Sequence, residues 1–264
     1  MNSTEIEKSH SEQRLPLQLS RITKSFPGIV ANDSVDFTLE EGEIHTILGE
    51  NGAGKTIFVT GPNSDNQTTL GDWVSPQPEE NVVTMVEGLK SIGEANGYKI
   101  NYFDSGDRSK EITDQQIEAA YTKAQASDMV VLVLGENSFR HDWKRKTTGE
   151  NIDRATLKLS GNQMKLADKM FELNKPVIVV YVSGSPIAEP WLEQRAAAVI
   201  NTWESGAFAG QANAEIMFGL TNPSGKLPLT IPRSVGQLQM VYNHKPTAYI
   251  HKYNTEKKTP LHPF

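Results

Sequence analysis

Two rhythms of hydrophobic and polar residues divide the chain. Residues 15–56 alternate apolar with polar in the manner of strands, in Leu17-Gln-Leu-Ser, Val35-Asp-Phe-Thr-Leu and Ile44-His-Thr-Ile-Leu. Pro27-Gly28, Asn32-Asp33 and Glu41-Gly42 stand beside these runs as turn signals. From residue 57 onward, short β-branched runs take turns with longer stretches whose apolar residues recur every three or four positions. The strands predicted are Ile57–Thr60, Ile100–Phe103, Met129–Leu134, Val177–Val182, Ala198–Trp203 and Leu227–Ile231. The helices predicted lie within Val82–Ala95, Asp114–Ala126, Gly161–Leu173 and Gly210–Gly219. Such alternation predicts an α/β fold, a mainly parallel sheet with helices on both faces, preceded by a small β-rich appendage. Residues 1–14 are polar and mixed in charge, and are expected to form a disordered lead.

Composition narrows the chemistry. Among 264 residues, 26 Lys and Arg face 32 Asp and Glu, for a net charge of −6. That balance lacks the basic patch a polyanion requires, so no nucleic-acid partner is expected. The absence of Cys excludes disulfides, thiolate metal sites and a thiol nucleophile. The six His show no metal-ligand spacing, so no metal is expected. The longest apolar runs, Met129–Leu134 and Val177–Val182, fall far short of the roughly 20 residues that cross a bilayer, which predicts no membrane insertion. No apolar export signal follows Met1, so the chain as written is expected in the cytoplasm.

One motif is loud. Gly49-Glu-Asn-Gly52-Ala-Gly54-Lys55-Thr56 fits the P-loop pattern, in which backbone N–H groups wrap phosphates, Lys meets the β/γ-phosphates and Thr ligates Mg²⁺. With ITKSFPGIVANDSVDFTLEEGEIHTILG before it, the segment over about 17–56 resembles the start of an ABC transporter ATPase of the sugar- or nucleoside-importer type. That resemblance implies that Phe26 stacks on adenine and that Gly49, Gly52, Gly54, Lys55 and Thr56 bind nucleotide. The residues that follow argue against a working site. A phosphate cradle needs a helix starting at its Lys-Thr. Ile57-Phe-Val-Thr-Gly-Pro62 is β-branched and aromatic, and its Gly-Pro would break a helix within two turns. Leu159-Ser-Gly-Asn-Gln163 imitates the ABC signature. Yet Ser183-Gly-Ser-Pro186 stands where such an ATPase places the Asp-Glu that holds Mg²⁺ and polarises water. The expectation is a vestigial site on a truncated fragment over 15–56, with no ATP or Mg²⁺ as cofactor.

Residues 57–264 carry a second resemblance. IFVTGPNSDNQTTLGDW, VVTMVEGLK, MVVLVLGE, GENIDRATLKLSGNQ, KPVIVVYVSGSPI, NPSGKLPLTIPRSVGQ and YNHKP follow one another in the order found in family 3 glycoside hydrolases. The likeness is to the second, α/β-sandwich domain of that β-glucosidase and β-xylosidase family, truncated at its end. It implies hydrolysis of O-glycosyl bonds with retention, on a β-linked glucoside or oligosaccharide. The partner it implies is a barrel domain, which supplies an Asp nucleophile and which this chain lacks. Retention needs a nucleophile and an acid/base about 5–5.5 Å apart. The resemblance places the acid/base on the loop after MVVLVLGE, over Asn137–Arg154. Glu150 is the candidate and Glu136 the runner-up, while Arg140, His141 and Trp143 could line a sugar subsite.

Plainer roles stand beside these. Glu136 could hydrogen-bond neighbouring loops at a strand end. Glu150, near Lys144, Arg145, Lys146 and Arg154, could form a solvated ion pair. Asp72 would fix a loop, and Ser160 would cap the helix it precedes. Ser183 and Ser185 lack a G-x-S-x-G frame, which excludes a serine hydrolase. Two other functions remain open, an ABC-type nucleotide-binding remnant and a non-catalytic carbohydrate-binding module.

Overall fold

The computed structural model describes the strand backbones 17–26 and 29–39 and all of residues 54–239. The expectations for residues 1–14, Ile44–Leu48, Gly49, Gly52, the Phe26 side chain and Tyr242–Pro246 lie outside these residues. The chain separates into two units, Met1–Thr46 and Ile47–Phe264. In the first, β1 (Leu17–Phe26) and β2 (Ile29–Leu39) pair antiparallel, with Leu17 opposite Leu39 and Phe26 opposite Ile29. Asn32-Asp33 does not break the strand as expected. Ile22 pairs with Val35 and Lys24 with Asn32, so β2 absorbs the turn-prone pair as an extra residue in a bulge.

The second unit is built on five parallel strands. They are β3 (Thr56–Thr60), β4 (Lys99–Tyr102), β5 (Met129–Gly135), β6 (Val177–Val182) and β7 (Ala198–Asn201), in the order β4-β3-β5-β6-β7. The central runs VVLVL and VIVVYV are apolar throughout because both faces of these strands are covered. Val130, Leu132 and Leu134 face one core and Val131 and Val133 the other, as the two-residue period of a strand requires. On the first face lie α2 (Asp114–Ala124), α3 (Gln163–Phe171) and α4 (Pro190–Arg195), through Ala120, Leu166, Met170 and Leu192. On the second lie α1 (Met85–Ala95) and α5 (Ala209–Met217), through Met85, Leu89, Ala214 and Met217. Among the described residues no helix is long and apolar enough to cross a membrane.

Local signals set the helix starts. Thr84 and Glu87 form a capping box on α1, with the Thr84 N–H donating to Glu87 Oε2 at 2.8 Å and the Glu87 N–H to Thr84 Oγ1 at 3.2 Å. Thr113 and Gln116 do the same for α2. Ser160 is a correction. Helix α3 starts later, after Asn162 and with no side-chain cap, because Gly161 (φ 62°) turns the chain between Ser160 and the helix. The strand expected at Leu227–Ile231 is also absent, since Pro228 has no N–H to give a ladder. Thr56, directly after Lys55, opens β3 rather than a helix, and its N–H donates to Asp128 Oδ2 at 2.7 Å.

Candidate active site

An open parallel sheet receives ligands beyond the carboxyl ends of its strands, above all where the strand order reverses. Here the reversal falls between β3 and β5, and side chains of the chain itself fill it. Asn63 Nδ2 donates to the Glu136 and Val182 carbonyls at 3.3 and 3.2 Å, and Asn137 Nδ2 donates to Asn63 Oδ1 at 2.8 Å. Thr68, Asn63 and Asn137 are almost wholly buried. The open ground lies beside this plug, on the loop from Glu136 to Asn162.

The loop begins at Gly135, whose φ of 144° and contact with the Val182 carbonyl leave no room for a Cβ. Asn137 then ties it down. Its N–H donates to Thr147 Oγ1 at 2.8 Å, and its carbonyl accepts from the Thr147 N–H at 2.7 Å. Asp142 turns the tip by accepting from the Lys144 and Arg145 N–H groups at 3.1 and 3.3 Å.

The two carboxyl groups singled out in the sequence occupy opposite environments. The Glu136 side chain is wholly buried. Its Oε1 accepts from the Ser160 N–H at 3.0 Å and from Arg154 Nη2 at 3.2 Å, and its Oε2 accepts from Ser160 Oγ at 2.9 Å. Glu150 lies between two left-handed residues, Gly149 (φ 98°) and Asn151 (φ 60°), and its side chain is 43% exposed. Arg140 Nη1 donates to Glu150 Oε2 at 2.5 Å, and the guanidinium carbon lies 3.5 Å from the centroid of the Trp73 ring. Trp73 and Trp143 are 71% and 53% exposed, and His141, also exposed, has its ring 5.6 Å from Phe139. The structure thus brings Glu150 and Arg140 together with Trp73, while Glu136 serves the loop from within. Among the described residues no group of His, Asp and Glu could hold a metal ion.

Beneath the exposed layer lies a charged one. Asp72 accepts from Lys146 Nζ at 2.7 and 2.9 Å and from the Glu150 N–H at 2.7 Å, the loop-fixing part expected of it. Burial raises the Asp72 pKa, but the Lys146 hydrogen bond, the Glu150 N–H and the charges of Lys146 and Arg140 outweigh it and leave the carboxyl below its ordinary range. Glu204 goes the other way. Burial raises its pKa against the pull of Ser138 and Lys146, and the charge of Asp72 adds to the rise. Its Oε1 is buried without a hydrogen-bond partner, and its Oε2 lies 3.0 and 2.9 Å from where Cβ atoms on Gly71 and Gly184 would stand. Trp73 carried a weak signal in the LGDW string. Glu204 carried none, since nothing local marks a Glu that the fold buries.

A carboxyl whose folded-state pKa is raised contributes stability that is present below the unfolded value and lost as pH rises through the folded one. Glu204→Gln removes that loss. Its midpoint of thermal unfolding should exceed wild type at pH 8. The gain should vanish near pH 4. A gain of equal size at both pH values would show that Glu204 stays ionised.

The comparisons with known proteins agree with this fold. Residues 48–264 match the model of the glycosyl hydrolase family 3 C-terminal domain. A β-xylosidase of Formosa agariphila is 34% identical over 221 residues, covering 80% of this chain and 29% of that protein. A periplasmic β-glucosidase of Salmonella typhimurium is 30% identical over 277 residues, covering 93% and 34%. Among solved structures, a β-glucosidase from Erythrobacter marinus superposes with a TM-score of 0.64 at 30% identity, covering 80% of this chain and 30% of that one. A β-glucosidase from Listeria innocua in complex with gluconolactone gives 0.68 at 26% identity, covering 83% and 30%. The chain spans about a third of the length of these relatives. The five-strand order, the glycine-bounded loops and a match over residues 48–264 converge on one conclusion: this chain belongs to the glycosyl hydrolase family 3 C-terminal domain family.

Proposed function

We propose that this chain supplies the acid/base half of a retaining β-glycosidase active site, with Glu150 as the acid/base. The observation that carries the reading is the contrast between the two carboxyls. Glu150 reaches solvent from an anchored peptide beside Trp73 and Arg140, whereas the Glu136 oxygens are occupied by three donors inside the fold. A general acid must reach the leaving-group oxygen, and only Glu150 can approach one from outside. Arg140 Nη1 occupies Glu150 Oε2, so a leaving-group oxygen has to displace that guanidinium to reach it. The nucleophile comes from a barrel domain, as the resemblance implies, and the substrate is a β-linked glucoside or oligosaccharide whose rings stack on Trp73 and Trp143. For residues 15–56 the reading stays that of an ABC-type fragment without nucleotide. It rests on the sequence pattern alone, whose last residues from 48 onward fall inside the family 3 match, and Thr56 opening a strand argues only against nucleotide.

The test is complementation. The chain alone, without a nucleophile, should not turn over aryl β-glucosides appreciably. With the barrel domain of a complete relative added, Glu150→Gln should slow substrates with poor leaving groups by about 10²–10⁴-fold. Activated substrates should lose far less, and azide should restore part of their rate. Equal losses on both substrates, or a larger leaving-group effect from Glu136→Gln, would remove Glu150 from the role. No loss at all would favour a carbohydrate-binding module.

A further inference from the structure

The exposed Glu150 is placed by its backbone, and the group that holds that backbone is distant in sequence. Asp72 lies on the loop after β3, and Lys146 comes 74 positions later on the loop after β5. The Lys146 side chain is wholly buried and that of Asp72 is 11% exposed. Lys146 Nζ donates to Asp72 Oδ1 at 2.7 Å and to Oδ2 at 2.9 Å, and Oδ2 also accepts the Glu150 N–H at 2.7 Å. Arg140 Nη1 stands 3.9 Å from Asp72 Oδ1. Gly149 closes against the same carboxylate, since a Cβ there would lie 2.6 Å from Oδ2.

A buried ion pair is weak evidence for a stabilising role, because apolar residues of similar volume often do as well. This pair has one feature that apolar residues cannot reproduce: a charged acceptor aimed at a single loop N–H. We propose that Asp72, held by Lys146, is the positioning residue of the acid/base loop, fixing the Gly149–Glu150 peptide so that the Glu150 carboxyl projects from the carboxyl edge of the sheet. The proposal rests on Glu150 being the acid/base. Asp72 itself touches no reacting atom. It acts through geometry, and a carboxyl displaced by about 1 Å forfeits on the order of 100-fold in rate.

Two double variants of the full chain separate positioning from folding. Asp72→Asn with Lys146→Met removes both charges and keeps an oxygen for the Glu150 N–H. Asp72→Leu with Lys146→Met fills the same space and keeps no acceptor. Both should unfold within about 4 °C of wild type, since each buries no unpaired charge. Amide hydrogen exchange of the chain alone should show Glu150 protected in wild type and in the Asn variant, and at least about 10-fold faster in the Leu variant. With a barrel domain added, the Leu variant should lose on the order of 100-fold in kcat at unchanged KM, and the Asn variant less than about 10-fold. Equal exchange and equal kcat in the two variants would overturn the proposal. Failure of both to fold would also overturn it, because the pair would then be a folding requirement. Should Glu150→Gln show no leaving-group dependence while the exchange difference persists, Glu150 would lose its catalytic part and Asp72 would keep its hold on the loop.

Discussion

Glu136→Ala should destabilise the second unit by about 3–5 kcal/mol, the cost of leaving one partner of a buried pair alone. The variant removes the carboxylate partner of the Arg154 guanidinium, whose side chain is only 12% exposed, leaves the Ser160 N–H without its acceptor and leaves the Ser160 hydroxyl with Ser109 alone. At roughly 2–4 °C per kcal/mol, the midpoint should fall by about 10 °C or more. Glu136→Gln keeps the shape but replaces an acceptor by a donor that must face either Ser160 or Arg154, so about 1–3 kcal/mol should be lost. Urea unfolding of both variants measures this. A Gln variant within about 0.5 kcal/mol of wild type, the range of an ordinary surface change, would show that Glu136 is not the internal tie of the loop.

Gly210→Ala should be as severe for a different reason. Helices α1 and α5 meet backbone to backbone, and a Cβ on Gly210 would stand 1.9 Å from the Thr84 carbonyl oxygen and 2.6 Å from that of Val83. Both are main-chain atoms that cannot rotate away. The Gly210 N–H donates to the Val83 carbonyl at 3.1 Å and the Val83 N–H to the Ala207 carbonyl at 2.8 Å, so parting the helices also breaks these bonds. A loss of about 3–5 kcal/mol is expected, at the upper end of overpacking effects. Gly225→Ala is the control. It has open space around it and should stay within about 0.5 kcal/mol of wild type. Equal stability of the two variants would show that α1 and α5 have slack that the observed packing denies.

Much of the fold is written in local pattern. A continuous apolar run such as VVLVL or VIVVYV has one comfortable place, inside a parallel sheet, and both stand there as β5 and β6. Helices α1, α2 and α3 fall within the stretches whose apolar residues recur at helical spacing, α5 starts one residue before its stretch, and the Thr-led capping boxes start two of the four. Where local pattern failed, chemistry beyond the run decided. Pro228 denied a ladder to Leu227–Ile231, and a bulge took Asn32-Asp33 into β2. Helix α4, six residues long with Leu192 as its one buried residue, is too short to show a period.

The sequence by itself determined the sheet, its helices and the position of the carboxyl-bearing loop, because strand and helix periodicities are properties of neighbours along the chain. It put Glu150 ahead of Glu136 only by resemblance to a family. Only the tertiary structure sends one inward to Ser160 and Arg154 and holds the other outward through its peptide. Asp72 and Lys146 are separated by 74 positions, and Glu204 meets Gly71 and Gly184 from yet another loop. No periodicity encodes such meetings. They arise because parallel strands carry their loops to one edge, where burial and charge, not sequence spacing, assign each carboxylate its work.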